Sequence, residues 1–331
     1  MKVFLTGATG YIGNRLAIQL AENNYEVHAL VRNRRSDNIP VHSNIFLFEG
    51  NLNDTNSIDR AIANCEYVFH TAAFTRLTCN DVKEFYTVNV QGTANVLNAA
   101  KKNGVKKVIF TSSVSVYGPS QPNSSIKEIH PRMSSFANDY ELTKAMAENL
   151  VLEYNKNGLP GIILNVSRVY GPGINGFSNG VNRFISMVLK NRFVFVPSKL
   201  HIETNYVYID DVIKAHVLAL NHGNAGEKYI IGGENASYEK LFTTISECSQ
   251  TKIPVVKINY VILKTGVFLK SMMDKIFINE PSLTPKLLDY LFTNRNVSSQ
   301  KAVTQLGYEI TTLKTGMEQT LRFLNNRNHE N

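Results

Sequence analysis

The sequence predicts an α/β fold, a doubly wound parallel sheet followed by a smaller, mixed C-terminal lobe. Three observations lead there. Short apolar runs alternate with segments of helical spacing through the first half of the 331 residues, and strands separated by helices pair in parallel through right-handed crossovers. Runs such as Val108-Ile109-Phe110 are apolar without alternation, as strands covered on both faces are. A glycine-rich turn, Gly7 to Gly13, follows the first run directly.

Taken in order, strands are expected at residues 2–6, 26–31, 45–49, 67–71, 107–111 and 161–166. Helices are expected between them at 13–23, 54–63, 85–103 and 140–157. The second half is less regular. Helical spacing recurs at 210–221, 238–249 and 285–292, a glycine-rich loop covers 171–179, and Gly232-Gly233 marks a further turn. The expected division is a dinucleotide-binding domain over residues 1–166 and a substrate lobe over 167–331, with residues around 205–222 packing back on the first domain. No Gly-, Ser- or Pro-rich linker separates the two, so they should be in tight contact.

Composition narrows the class. Hydrophobic residues make up 43% and charged residues 19%, enough apolar material for a sizeable core. The formal charge of +8 raises the prior for an anionic partner. Lys and Arg are dispersed, and no basic arm or nucleic-acid motif accompanies them; the charge reads as solubility plus one local anion site. Cys65, Cys79 and Cys248 form no CxxC pair, which argues against a disulfide framework or structural metal and suits a reducing cytoplasm. The N-terminus runs straight into a strand pattern with no signal-like stretch. No uninterrupted apolar run reaches the length of a membrane span.

Thr6-Gly7-Ala8-Thr9-Gly10-Tyr11-Ile12-Gly13 lies between the first strand and the first helix. Helix N-terminal amides carry partial positive charge, and glycines let a pyrophosphate approach them closely. Gly7, Thr9, Gly10, Tyr11, Ile12 and Gly13 are therefore candidate dinucleotide contacts, with a plain turn and tight helix packing as the alternative. The spacing is GxxGxxG rather than GxGxxG. At the end of the second strand, where NAD-binding folds place an acid on the ribose diol, stands Arg32, followed by Arg34 and Arg35. A guanidinium binds a 2′-phosphate that an acid would repel. This favours NADP, with NAD possible; a solvated basic loop is the bland alternative.

Tyr140 and Lys144 lie one helical turn apart. A phenol titrates near pH 10, and a nearby ammonium lowers that value, so the pair suits acid–base work. An exposed Tyr/Lys pair is the competing reading. Upstream, Thr111-Ser112-Ser113-Val114-Ser115 forms a hydroxyl-rich strand end, where a doubly wound sheet presents its ligand. Ser113 could hydrogen-bond a substrate oxygen; Ser112 and Ser115 are better read as satisfying turn backbone groups.

With these pieces in place, the chain resembles the extended short-chain dehydrogenase/reductases, the NAD-dependent epimerase/dehydratase family. Matching segments run in family order: Gly7/Gly10/Gly13, Gly50-Asn51-Leu52, His70-Thr71-Ala72-Ala73, Asn89 to Thr93, Ser113 to Gly118, Tyr140/Lys144, Arg168 to Gly173, Tyr206 to Val212, and Lys301-Ala302 with Leu306-Gly307-Tyr308. The resemblance implies a Rossmann fold, Tyr140 as acid/base, Lys144 tuning it and holding the nicotinamide ribose, and Ser113 orienting the substrate. It also places Asn51 and Leu52 by the adenine, Ala72 and Ala73 along the cofactor, and Val169 among the cofactor contacts. Asn89 reads as a structural link. A homodimer through the 85–103 and 140–157 helices is implied as well, with packing inside one chain as the alternative.

Departures from the family pattern sort the subgroups. The 4,6-dehydratases carry an Asp-Glu pair where this chain has Val114-Ser115. Nucleotide-sugar epimerases carry a diphosphate-binding arginine where this chain has Thr204, although Arg183, Arg192 or His201 could compensate. What remains looks most like the dihydroflavonol-4-reductase-like and 3β-hydroxysteroid-dehydrogenase-like branch. The reading is an NADPH-dependent enzyme interconverting a carbonyl and an alcohol on a small, fairly apolar substrate. A nucleotide-sugar epimerase or reductase is the alternative, and a non-catalytic NADP-binding sensor a more distant one. Between Gly118 and Asn138, Pro119, Pro122 and Pro131 punctuate a polar loop that could act as a lid, with His130 read as exposed rather than catalytic. Residues 260–277 read as a lobe helix with a solvated lysine face, or as an amphipathic helix touching a membrane.

Overall fold

The structure, a computed structural model, describes residues 1–76, 81–121, 123–132, 135–174, 179–190, 194–277 and 283–329. Cys79, Pro122 and Arg192 lie outside the described residues. The first half contains β1 (Lys2–Thr6), α1 (Tyr11–Glu22), β2 (Glu26–Val31), β3 (Ile45–Glu49), α2 (Thr55–Ile62), β4 (Tyr67–His70), α3 (Val82–Tyr86), a π-helical turn (Thr87–Gln91), α4 (Gly92–Lys102), β5 (Lys107–Ser113), a 3₁₀ turn (Val114–Tyr117), α5 (Asp139–Lys156) and β6 (Gly161–Val166). The second half contains β7 (Arg168–Tyr170), α6 (Gly180–Lys190), β8 (Val194–Pro197), β9 (Glu203–Tyr208), α7 (Ile209–His222), β10 (Lys228–Ile231), β11 (Glu234–Ser237), α8 (Tyr238–Ser249), β12 (Val255–Ile258), α9 (Tyr260–Phe277), α10 (Pro285–Leu291), α11 (Gln300–Leu306) and α12 (Leu313–His329).

Seven strands form one parallel sheet in the order β3-β2-β1-β4-β5-β6-β10. Side-chain alternation along each strand splits the core between its two faces. Val3 and Leu5 of β1 enter the layer beside α1 and α7, whereas Phe4 enters the layer holding Val68, Val108 and Phe110 beside α2, α4 and α5. Burial on both faces explains the unbroken apolar runs. The order reverses between β1 and β4, so a crevice opens where their carboxyl ends diverge.

Three details depart from the pattern reading. The seventh strand, β10, comes from the second half, and its four residues are too few to show a period. The expected helix over 85–103 begins at Val82 and is interrupted by the π turn, which turns buried Asn89 inward. β5 runs on to Ser113 because Ser112 and Ser113 pair with Asn165 and Val166 of β6. Beyond the large sheet, β7, β9 and β11 form a three-stranded sheet, and β8 with β12 a two-stranded one.

Ser120 and Ile126 of the loop between Gly118 and Asn138 are hydrogen-bonded to a distant segment. The Ser120 amide donates to the Asn294 carbonyl and the Ile126 amide to that of Asn296, both at 2.8 Å, and the Ser298 amide donates to Ile126 at 2.9 Å. Local composition cannot reveal such a pairing with a distant segment. α9 presents apolar residues to solvent, with Val261, Ile262, Phe268, Leu269, Met272 and Met273 all exposed. Lys264 and Lys270 are paired with Asp289 and Asp274 at 2.7 Å, so the expected solvated lysine face is not the whole of its surface. No described helix is long and apolar enough to cross a membrane.

Candidate active site

The glycine turn is dictated by crowding. Gly7 has φ +80°, a left-handed conformation that disfavours other residues, and a Cβ there would lie 2.7 Å from the Ala72 nitrogen. A Cβ on Gly13 would lie 2.1 Å from the Gly7 carbonyl oxygen, so α1 can pack on the loop only with glycine there. Gly10 caps α1, yet no side chain accepts from its first amides and its first turn holds no acid. The helix end thus keeps amides for an external anion, which fits a dinucleotide pyrophosphate. Tyr11 contributes nothing but backbone: its ring is buried and its hydroxyl donates to the Gly171 carbonyl at 2.7 Å.

The other expected cofactor residues lie along the carboxyl edge of the same sheet. Thr6 and Leu30 are register partners, so Arg32 emerges beside the glycine loop. Arg32 is exposed, and among the described residues no group pairs with it, whereas Arg34 donates to the Leu47 carbonyl at 2.8 Å. Leu52 is buried against Gly92. The Asn51 side chain accepts from the Asn53 amide at 2.9 Å, spending one of its groups on a local turn. Ala72 and Ala73 follow β4, with the Ala72 amide donating to the Thr6 hydroxyl at 3.3 Å. Val169 is buried in β7, on the lobe side.

α5 brings the hydroxyl and amine groups to β5. Its N-cap, Asn138, accepts from the Glu141 amide at 2.9 Å, while the Glu141 carboxylate accepts from the Ala137 amide at 2.9 Å. This reciprocal cap fixes Tyr140 in the first turn. Ser113 lies near enough to the Tyr140 phenol to act on its pKa and accepts from the Ser115 amide at 3.2 Å. Lys144 is 2% exposed; its ammonium donates to the Thr111 carbonyl at 2.7 Å and rests 4.1 Å from the centre of the Phe110 ring.

Electrostatics here differ from the sequence expectation. Burial, with the Tyr290 phenol as a smaller contributor, pushes Tyr140 above its ordinary value; Ser113 only partly opposes this. The Lys144 ammonium is turned to the Thr111 carbonyl instead. Burial in turn pushes Lys144 down to about 7, against the opposing pull of Glu148. The Tyr140 phenol therefore stays protonated across the ordinary pH range.

Behind these residues lies a buried polar frame. Glu148, wholly buried, accepts from Ser112 at 2.5 Å and Asn165 at 2.7 Å, and pairs with Arg132 and with Lys228 at 3.0 Å. His70 bridges Thr6 at 2.6 Å and Thr93 at 2.9 Å. Asn89 accepts from the Phe74 amide at 2.7 Å and donates to Thr143 at 3.0 Å, which clamps the irregular segment following β4 onto α5.

On the substrate side, a cavity of about 60 Å³ is lined by Ser113, Ser115, Arg168, Thr204, Tyr290 and Arg295, among others. The sequence reading missed Tyr290 and Arg295. Arg295 bridges to Thr204, stacks over the Tyr290 ring at 4.4 Å and pairs with Glu141 at 3.1 Å. A cation thus stands beside Thr204 after all, but with its charge spent on a carboxylate. Arg183 and His201 are exposed. Among the described residues no cluster of His, Cys, Asp or Glu could hold a metal ion.

Residues 3–232 match the NAD dependent epimerase/dehydratase family. The chain belongs to that family. It is 30% identical over 290 residues, 86% of this chain and 85% of the relative, to sterol demethylase protein B of Methylococcus capsulatus. It is 26% identical over 321 residues, 93% and 87% of the two chains, to a 3-beta-hydroxysteroid dehydrogenase of Mycolicibacterium neoaurum. The UDP-glucuronic acid 4-epimerase of Bacillus cereus, solved with UDP-glucuronic acid and NAD, superposes with a TM-score of 0.80 at 24% identity, covering 99% of this chain and 100% of that one; this likeness carries the fold. The protein is an extended short-chain dehydrogenase/reductase, from a family of NAD(P)-dependent enzymes.

Proposed function

We propose that this enzyme uses NADP(H) to interconvert a carbonyl and an alcohol on a small substrate, with Tyr140 as the proton donor in the reductive direction. The observation that carries the reading is the approach of the Ser113 hydroxyl to the Tyr140 phenol at the carboxyl end of β5, close enough to act on its pKa, on the sheet edge that also bears the glycine loop. Gly7, Thr9, Gly10, Ile12 and Gly13 would cradle the pyrophosphate, with Arg32 on the 2′-phosphate, Asn51 and Leu52 by the adenine, and Ala72, Ala73 and Val169 alongside. When bound, the nicotinamide supplies hydride to the carbonyl carbon. As negative charge develops on the substrate oxygen, Ser113 donates a hydrogen bond to it, and the Tyr140 hydroxyl proton moves onto it to complete the alcohol. The raised pKa of Tyr140 suits this direction, because a neutral phenol holds its proton until an alkoxide forms. Lys144, one turn along and held to the Thr111 carbonyl, would hold the nicotinamide ribose, and the phenolate left on Tyr140 regains its proton from solvent.

Tyr140→Phe tests the assignment. NADPH-dependent reduction across a carbonyl panel is expected to fall about 10²- to 10⁴-fold, with NADPH affinity kept. Unchanged turnover sinks the proposal and leaves a cofactor-binding sensor in its place. The nucleotide-sugar alternative makes a different prediction: NAD(H) retained through purification rather than exchanging freely.

A further inference from the structure

One guanidinium in the cavity beside Ser113 has, among the described residues, no counter-charge. Among the described residues, Arg168 donates to the Tyr238 hydroxyl at 2.8 Å and to the Leu291 carbonyl at 3.2 Å, and no carboxylate pairs with it. Its other close neighbours are the phenols of Tyr206 and Tyr290. Arg295, Arg132 and Lys228 around this core each have a carboxylate turned to their charge: Arg295 has Glu141, and Arg132 and Lys228 have Glu148. Removing a cation from bulk water without a counter-ion is costly, and Arg cannot shed its proton to escape the cost.

Two more donors share the cavity and lack partners. The Ser115 hydroxyl is buried and makes no hydrogen bond, and neither does the buried Arg295 Nε. Ser115 is thus not the turn-satisfying serine the sequence suggests. Ser113, Ser115, Arg168 and Arg295 line the same cavity of about 60 Å³, so its polar wall is rich in donors and carries one uncompensated positive charge. A guanidinium fork beside a hydroxyl donor matches the two oxygens of a carboxylate.

We propose that Arg168 and Ser115 form a carboxylate subsite, so that the substrate is an oxo acid, or the matching hydroxy acid, whose carboxylate lies a few bonds from the carbon beside Ser113. The expected apolar character then describes the rest of the substrate. This proposal rests on the Ser113/Tyr140 reading above.

The test compares wild type with Arg168→Met, Arg168→Lys and Ser115→Ala, each as the full chain with NADPH. Rates are measured on α- and β-oxo acids against their methyl esters. Calorimetric titration with butyrate and hexanoate against the corresponding amides reports binding without turnover. A charge-assisted pair predicts that wild type favours acid over ester by about ten- to hundredfold in kcat/KM and binds the carboxylates but not the amides. Arg168→Met brings the acid/ester ratio toward one, and Arg168→Lys restores part of it. Arg168→Met also removes the bonds to Tyr238 and Leu291, so Ser115→Ala, which breaks no existing bond, provides the second variant; it lowers acid preference and carboxylate affinity together. Esters reduced as well as acids, carboxylates that do not bind, or preference surviving Arg168→Met overturns the subsite. Tyr140-dependent reduction of neutral carbonyls without acid preference sinks the subsite alone, whereas turnover indifferent to Tyr140→Phe sinks the reductase reading beneath it.

Discussion

Arg32 shows how much a single exposed residue can decide. It stands at the end of β2 with no protein partner among the described residues, beside a helix end whose amides are uncapped. Replacing it by Asp exchanges a 2′-phosphate donor for a ribose-diol acceptor. Arg32→Asp is expected to lower kcat/KM for NADPH by about ten- to hundredfold and to raise that for NADH, reversing the preference. Steady-state kinetics with both cofactors checks this, and a wild type with equal affinity for the two would remove the basis for NADP. Arg32 was legible in the sequence because its role depends on a strand end and a glycine loop that are both local patterns. Arg295 was not. Its place opposite Glu141 and Thr204 depends on chain segments far apart in sequence, and no period or motif marks it.

At the scale of elements, α5 carries most of the candidate chemistry and joins it to the frame. Its cap places Tyr140, its inner face buries Lys144 and Glu148, and its outer face leaves Leu142 exposed, as α3 leaves Val82 and Tyr86. We propose that these outer faces meet those of a second copy. Leu142→Lys, which puts an uncompensated charge on that face, is expected to turn a dimer of the full chain into a monomer in sedimentation velocity. A wild type that sediments as a monomer ends the proposal. The glycine loop and the helix after it could be read from spacing, since Gly13 answers to a clash with the Gly7 carbonyl and Gly7 to its own positive φ, although not the crowding of Gly7 by Ala72. The π turn could not, because it exists to bring Asn89 between Phe74 and Thr143, partners that only the folded chain supplies.

Across the whole molecule, burial of neutral histidines ties stability to pH. Burial, with the Lys144 charge adding to it, pushes His70 down to about 3, and burial pushes His216 down to about 4 despite a hydrogen bond to the Val212 carbonyl. An unfolded histidine titrates near 6.5, so below that pH the unfolded chain takes up protons that the native one refuses. The histidine contribution to stability is therefore complete above about pH 6.5 and is lost progressively as pH falls toward these depressed values, on the order of a few kcal/mol. Urea midpoints measured from pH 7.5 down to 4.5 should fall steadily; a flat series would show that neither ring is held neutral.

What the sequence determined by itself was whatever short-range sterics and periodicity encode. The parallel sheet follows from apolar runs alternating with amphipathic segments, the dinucleotide loop from three glycines before a helix, and the Tyr140/Lys144 pair from one helical turn. Tertiary structure alone decided what depends on burial and on distant neighbours. It raised the Tyr140 pKa where a nearby ammonium was expected to lower it, drew β10 into the sheet, bonded Ser120 and Ile126 to residues 294–298, and, among the described residues, left Arg168 in a cavity without a counter-ion. Desolvation and counter-charge are properties of the space around a group, and that space is assembled from residues the chain keeps far apart.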